Sequence, residues 1–228
     1  ENRKFYTEKV IYMPNSYQCN DSQRKISNRS FKREELGLKD DDFVFACFNA
    51  NNKITKDVFT IWMNLLSKVE GSVLWLYRSN KFSEKNLCKE ATRLGIDSAR
   101  VVFADRISHD EHLSRLRCAD LFLDTFYYNA HTTASDALWA GIPIITKLGE
   151  SFSARVCSSL LTAVGLPELI AHNTQEYENK AFNLAINEKE LKVLKKRLKE
   201  NLLTYPLFDS KKFTKDLEKI YSDLIQNL

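Results

Sequence analysis

Five residue types near the middle of the chain could do chemistry together. His131, Thr132 and Thr133 open what reads as a helix, and Asp136 follows three and four residues after the two threonines, on the same helical face. A helix N-terminus carries unpaired backbone N–H groups and about half a positive charge. A phosphate fits there, and two threonine hydroxyls would add donors aimed the same way. A carboxylate one turn on repels phosphate but suits a sugar hydroxyl. The combination reads as a diphosphate-plus-ribose site; the same spacing is also that of two threonines capping a core helix. Lys53 could offer a point charge to a phosphate. His112 and Arg115, one turn apart at another helix start, could stack on a base and hydrogen-bond its carbonyl, with His109 beside them.

These residues need elements to hold them. Apolar runs at 43–48 (FVFACF), 73–77 (VLWLY), 101–103, 121–124 (LFLD) and 142–146 (IPIIT) read as buried strands. Between them lie helical patterns, the clearest from Thr55 to Val69, where Val58, Ile61, Trp62, Leu65, Leu66 and Val69 recur at helical spacing. Ser83 reads as a cap for the next helix, and Ser108 with Glu111 as a capping box. A helix over 151–164 stops at Gly165, and 168–171 reads as a short sixth strand. Strand–helix alternation predicts an α/β fold, a parallel sheet with helices on both faces. Ligands in such sheets bind beyond the strand C-termini. The loops at 49–53, 104–112 and 125–133 all follow strands, so they should converge on one edge.

The flanks read differently. Residues 9–13 (KVIYM) suggest a short strand, and 14–28 a polar loop or linker. Ser30 suggests an N-cap for a short helix closed by Gly37. Asp40, Asp41 and Asp42 read as a solvated turn rather than a metal site. From Thr174 onward the chain reads as charged helices broken near Pro206, with the basic run 195–199 as a solvated face. The expected organisation is a linker and short helix over 1–40, a Rossmann-like lobe over 41–173 and helices over 174–228.

Composition narrows the function. A chain of 228 residues with 43% hydrophobic residues can build a real core. A formal charge of +4 tolerates an anionic ligand without calling for nucleic acid. The five scattered cysteines form no CxxC pair and read as reduced thiols of a cytoplasmic protein. No run is apolar enough to span a bilayer, so no membrane partner is expected. The abrupt opening on ENRKFYTEKV suggests a piece of something longer. There is no GxGxxG, GxxxxGK[ST] or GxSxG motif. No third ligand joins the histidines, so no metal is expected.

The motifs YMPNSY (12–17), VFACFNANNKI (44–54), SVLWLY (72–77), ADLFLDTFYYNAHTTASDALWAGIPIIT (119–146), GESFSARV (149–156) and GLPELI (165–170) resemble the C-terminal catalytic half of the O-GlcNAc transferase and Spindly family of GT-B glycosyltransferases. The resemblance covers nearly the whole chain, and its NAHTTASD form is similar to bacterial members. It implies a metal-independent transferase lobe, without a cofactor, that binds a nucleotide-sugar donor, UDP-GlcNAc, for transfer to Ser or Thr of a protein acceptor. GDP-fucose, a UDP-hexose or a non-catalytic nucleotide-binding role are the alternatives. By resemblance Lys53 is the phosphate-contacting, catalytic lysine. His112 stacks on the base, Arg115 and the Ile107 main chain contact it, His131, Thr132 and Thr133 grip the diphosphate, and Asp136 lies near the ribose. Two positions depart from the animal enzyme: Ala50 stands for a glutamine and His109 for a ribose-side lysine. The family's N-terminal catalytic lobe, its general base and its tetratricopeptide region are not found in this sequence, and the C-terminal helices are expected to pack toward that lobe.

Overall fold

The computed structural model describes residues 2–226. Its centre is a six-stranded, all-parallel sheet in the order β3-β2-β1-β4-β5-β6. The strands are β1 (Phe43–Cys47), β2 (Ser72–Tyr77), β3 (Val101–Ala104), β4 (Leu121–Leu123), β5 (Ile144–Lys147) and β6 (Ile170–Ala171). β1 and β2 are buried almost throughout, as their unbroken apolar runs require of strands covered on both faces. The register sets Phe45 beside Leu74 and Leu121, and Phe122 beside Ile144.

Helices α1 (Lys56–Lys68) and α2 (Lys81–Arg93) connect the first three strands. The chain then crosses to β4 through α3 (His109–Leu116) and continues through α4 (Thr132–Trp139) and α5 (Val156–Ala163). The order therefore reverses between β1 and β4, the switch point beyond whose strand C-termini ligands bind in such sheets. Beyond β6, α6 (Thr174–Ile186) returns to pack on α1 and β5, and α7 (Glu188–Thr204) and α8 (Ser210–Gln226) follow.

One buried polar chain ties the layers together. Trp62 Nε1 on α1 donates to the Tyr177 hydroxyl on α6 at 3.1 Å, and that hydroxyl donates to the Asp124 carbonyl at 3.0 Å, just past β4. Trp62, Tyr177 and Asp124 are each fully buried.

Several expectations change at the edges. Residues 9–13 form no strand; Ile11 and Tyr12 are exposed, and the sheet ends at β3 and β6. The expected helix at Ser30 is one 3-10 turn over Glu34–Leu36 behind Arg33, although Gly37 does close it at φ 73°. Asn80, not Ser83, caps α2, because its carboxamide oxygen reaches the amides of Phe82 and Ser83. Ser108 precedes α3 but forms no capping box; its hydroxyl donates to the Glu111 carboxylate instead. The helix expected from Ser151 begins as a 3-10 turn over Phe152–Ala154 and becomes α-helical only at Val156. Asp40 and Asp41 do form an exposed turn. In the basic run, Lys195 pairs with Asp120 at 3.3 Å, Lys196 with Glu200 at 4.0 Å and Arg197 with Glu168, so three of its cations are engaged.

The polar chain gives a direct test. Tyr177→Phe leaves a buried indole N–H and a buried carbonyl unsatisfied, and should cost about 2 kcal/mol. Urea unfolding should show a lower midpoint with an unchanged slope.

Candidate functional site

The loops after β1 and β4 are held by one carboxylate. Asp124 sits where β4 ends and is fully buried. Its Oδ1 accepts from the amides of Thr125 at 2.8 Å and Ala130 at 2.6 Å, and from Asn49 Nδ2 at 3.2 Å. Its Oδ2 accepts from the Thr146 hydroxyl on β5 at 2.6 Å. Burial pushes this carboxyl up to about 6, against the opposing pull of these donors. Asn49 passes the connection on: its Oδ1 accepts from the Thr133 hydroxyl at 2.6 Å. Asn129 closes the loop on itself, donating from Nδ2 to the Thr125 carbonyl at 2.7 Å. The path from 124 to 131 is thereby fixed, and with it the place where α4 begins.

An open groove of about 470 Å³ lies along this edge of the sheet. Ile107, His109, His112, Arg115, Thr133 and Asp136 all line it, beside Phe48 and Tyr77. Arg115 is nearly buried; its Nη1 donates to the Asp105 carbonyl at 2.6 Å and its Nε to His112 Nδ1 at 3.1 Å. Nδ1 therefore acts as an acceptor and the imidazole proton lies on Nε2. Burial, then the charge of Arg115, depresses the His112 pKa to about 4, so the ring is neutral at pH 7. It packs edge-on against Phe48, with ring centroids 4.8 Å apart. Such a flat, neutral ring can stack on a base.

Lys53 and His131 lie outside the groove lining and meet on the Tyr128 ring, with Thr132 following His131 at the start of α4. Lys53 ends the short turn Asn51–Lys53; its Nζ donates to the Asn129 carbonyl at 3.2 Å and lies 3.8 Å from the centre of the Tyr128 ring. Burial lowers its pKa, opposed by the charge of Asp124. His131 stacks on Tyr128 with centroids 4.8 Å apart, and its Nε2 lies 3.3 Å from the Ser153 carbonyl. Its pKa is lowered, chiefly by burial. The amides of Thr132 and Thr133 start α4 and have no preceding helical turn to bond to. One expectation is corrected here: the Thr133 hydroxyl is already donating to Asn49, so an anion would meet the amide rather than the hydroxyl proton. Thr132 is exposed. The buried carboxamide of Asn51 and the Oδ1 of Asn129 have no partner among the described residues.

Asp136 is buried and paired. Arg24 Nη1 donates to its Oδ1 at 2.6 Å, and His109 Nε2 lies 3.2 Å from the same oxygen. Arg24, Asn49, Asp124 and Tyr128 are residues that sequence reasoning missed. Asp124 gave a signal, a carboxylate ending an apolar strand. Arg24 gave none, since it lies in the segment read as a linker. Among the described residues, no group of three or more His, Cys, Asp or Glu side chains could hold a metal ion, and no helix is long and apolar enough to cross a membrane.

The Rossmann-like parallel sheet with a groove at its switch point matches the C-terminal half of a GT-B fold. The chain belongs to glycosyl transferase family 41, whose profile matches residues 26–217. It is 39% identical over 222 residues to the probable UDP-N-acetylglucosamine–peptide N-acetylglucosaminyltransferase SEC of Arabidopsis thaliana, covering 95% of this chain and 23% of that protein. The UDP-N-acetylglucosamine–peptide N-acetylglucosaminyltransferase of Caenorhabditis elegans is 35% identical over 192 residues, covering 84% of this chain and 17% of that one. A mutant O-GlcNAc transferase of Thermobaculum terrenum superposes with a TM-score of 0.83 at 26% identity, over 96% of this chain and 41% of the other. The chain thus spans about a quarter or less of the length of these two curated relatives.

The state of Asp124 predicts a pH dependence of stability. Its folded pKa, about 6, lies above the usual carboxylate value of about 3.9. Between these values the folded protein binds more protons than the unfolded one, so this group's contribution favours folding at the acid end and fades as pH rises through 6. The span is roughly 2–3 kcal/mol. Urea unfolding at pH 4 to 7, compared with Asp124→Asn, should show a difference between the two proteins that changes over this range. A constant difference would contradict the assignment.

Proposed function

We propose that this chain is the donor-binding lobe of a protein O-glycosyltransferase that moves N-acetylglucosamine from UDP-GlcNAc to Ser or Thr. The observation that carries this reading is the single groove in which neutral His112, Arg115, the Asp136 carboxylate and the start of α4 meet. His112 stacks on the uracil, and Arg115 and the main chain of Ile107 read its edge. The α4 amides at Thr132 and Thr133, with Lys53 and His131, take the diphosphate, and Asp136 takes a ribose hydroxyl. As the glycosidic bond breaks, negative charge grows on the leaving diphosphate. A partly desolvated ammonium and a helix N-terminus meet that charge without reorganising. No divalent ion is needed for this division of labour.

The remaining parts belong outside this chain. We assign the general base to a facing N-terminal lobe and acceptor selection to that lobe and a tetratricopeptide region, in keeping with the fraction of each relative that the chain covers. Residues 1–40 would then join the lobes, 41–173 form the donor lobe and 174–228 pack back across it. Five unpaired cysteines suit a reducing cytoplasm.

Calorimetry on the protein with its native flanks, in EDTA, should show UDP bound more tightly than GDP. Lys53→Ala should lower the rate of radiolabelled GlcNAc transfer to a peptide about a hundredfold or more. A preference for GDP would move the donor to GDP-fucose. Nucleotide binding without transfer by the flanked protein would favour a non-catalytic module.

A further inference from the structure

Asp136 is 6% exposed, yet it faces the groove. A carboxylate taken so far out of water needs a cation beside it. Arg24 supplies it from the polar segment that precedes the lobe. The two side chains are 13% and 8% exposed and meet at 2.6 Å. The other end of the fork, Nη2, donates to Asn20 Oδ1 at 3.4 Å, and the Arg24 carbonyl accepts from Trp139 Nε1 at 3.2 Å. Since Trp139 ends α4, Arg24 is fastened to the helix of Asp136 by backbone and side chain together. The segment is pinned on either side as well. Tyr17 lies 3.4 Å from His131 Nδ1, and the Ser27 amide donates to the Asp110 carbonyl on α3 at 3.0 Å.

The pairing is one-sided. Arg24 and His109 both reach Asp136 Oδ1, and Oδ2 has no partner among the described residues. The His109 side chain is 57% exposed and restrains the carboxylate little. We propose that Arg24 is a positioning residue for nucleoside recognition: it holds the Asp136 carboxylate by Oδ1, with Oδ2 left to accept from the ribose hydroxyls. Arg24 itself does not line the groove. The assignment rests on reading the groove as a nucleoside diphosphate site. Its consequence is specific, because only the hydroxyl-reading part of affinity passes through Arg24. The stacking on His112 and the diphosphate contacts at α4 do not.

The test compares UDP with 2′,3′-dideoxy-UDP by calorimetry, using the protein with its native flanks. The wild type should prefer UDP by about tenfold or more, the loss expected when a hydrogen bond to a charged group is removed. Arg24→Ala should erase that preference by weakening UDP while leaving the dideoxy nucleotide unchanged. Should Arg24→Ala fail to fold, Arg24→Gln decides, since it keeps a donor but not the charge and should reduce the preference. A variant that weakens both nucleotides equally, or that keeps the full preference, overturns the assignment. Binding of neither nucleotide by the wild type would instead sink the reading of the groove itself, and the role of Arg24 with it.

Discussion

The Asp124 carboxylate is the constraint on which the site depends. It lies fully buried at the end of β4, where an unpaired charge would cost several kcal/mol. Its donors come from the loop after β1, the loop after β4 and the neighbouring strand β5. Each element is therefore positioned relative to the same two oxygens. The residues from 125 to 131 form neither helix nor strand, so their amides have no ladder to join. Asp124 takes two of those amides, and the Asn129 carboxamide takes the Thr125 carbonyl. The irregular loop thus has its amides and carbonyl taken up by buried side chains, and α4 starts at one defined point.

That rigidity decides which groups face the groove free and which are already engaged. Asn49 bonds Asp124 with one end of its carboxamide and receives the Thr133 hydroxyl with the other. Thr133 consequently orients the first turn of α4 instead of offering its hydroxyl proton, and the first helix amides are the donors left open there. The same logic holds on α3. Arg115 is anchored to the Asp105 carbonyl and to His112 Nδ1, which fixes the imidazole tautomer, while burial and then the Arg115 charge keep the ring neutral. Lys53 rests on a carbonyl and a tyrosine face, neither of which neutralises its charge. The cationic and flat surfaces are thereby set in advance, as stabilisation of a developing charge requires.

The sheet and α1 were legible in the sequence because their signal is periodic and local. Continuous apolar runs mean strands covered on both faces, and the Val58-to-Val69 spacing means one buried helix stripe. Residues on the short helices α3 and α4 could be named from type and spacing, since a helix start and a one-turn pair are also local facts. Caps were less legible: Asn80 and Ser83 both lie at a plausible boundary, and only the backbone path shows which oxygen reaches the open amides. Asn49, Asp124 and Arg24 act through partners far away in the chain, which no local pattern encodes. The segment from 14 to 28 lacks apolar periodicity and so looked like a free linker. It is instead held by side-chain and backbone hydrogen bonds, a kind of fastening that periodicity does not reveal.

Two kinds of fastening therefore meet at α4. Its N-terminus is fixed from beneath by the Asp124 network, which is dry and continuous with the core. Its outer face is held by the polar segment through Arg24, Trp139 and the partly exposed contact of Tyr17 with His131. The Arg24 and Trp139 bonds are part-buried but reach a single polar segment outside the core, whereas the Asp124 carboxylate network ties two loops and a strand to the same two oxygens and cannot open without exposing a charge's whole set of donors. The anion-binding start of α4 should accordingly stay in place when the outer segment loosens, while the Asp136 carboxylate, which depends on that segment for its cation, should not. If the groove takes a nucleoside diphosphate as proposed, its diphosphate affinity and ribose recognition are separable, because one is built on the sheet and the other on a strap laid across it.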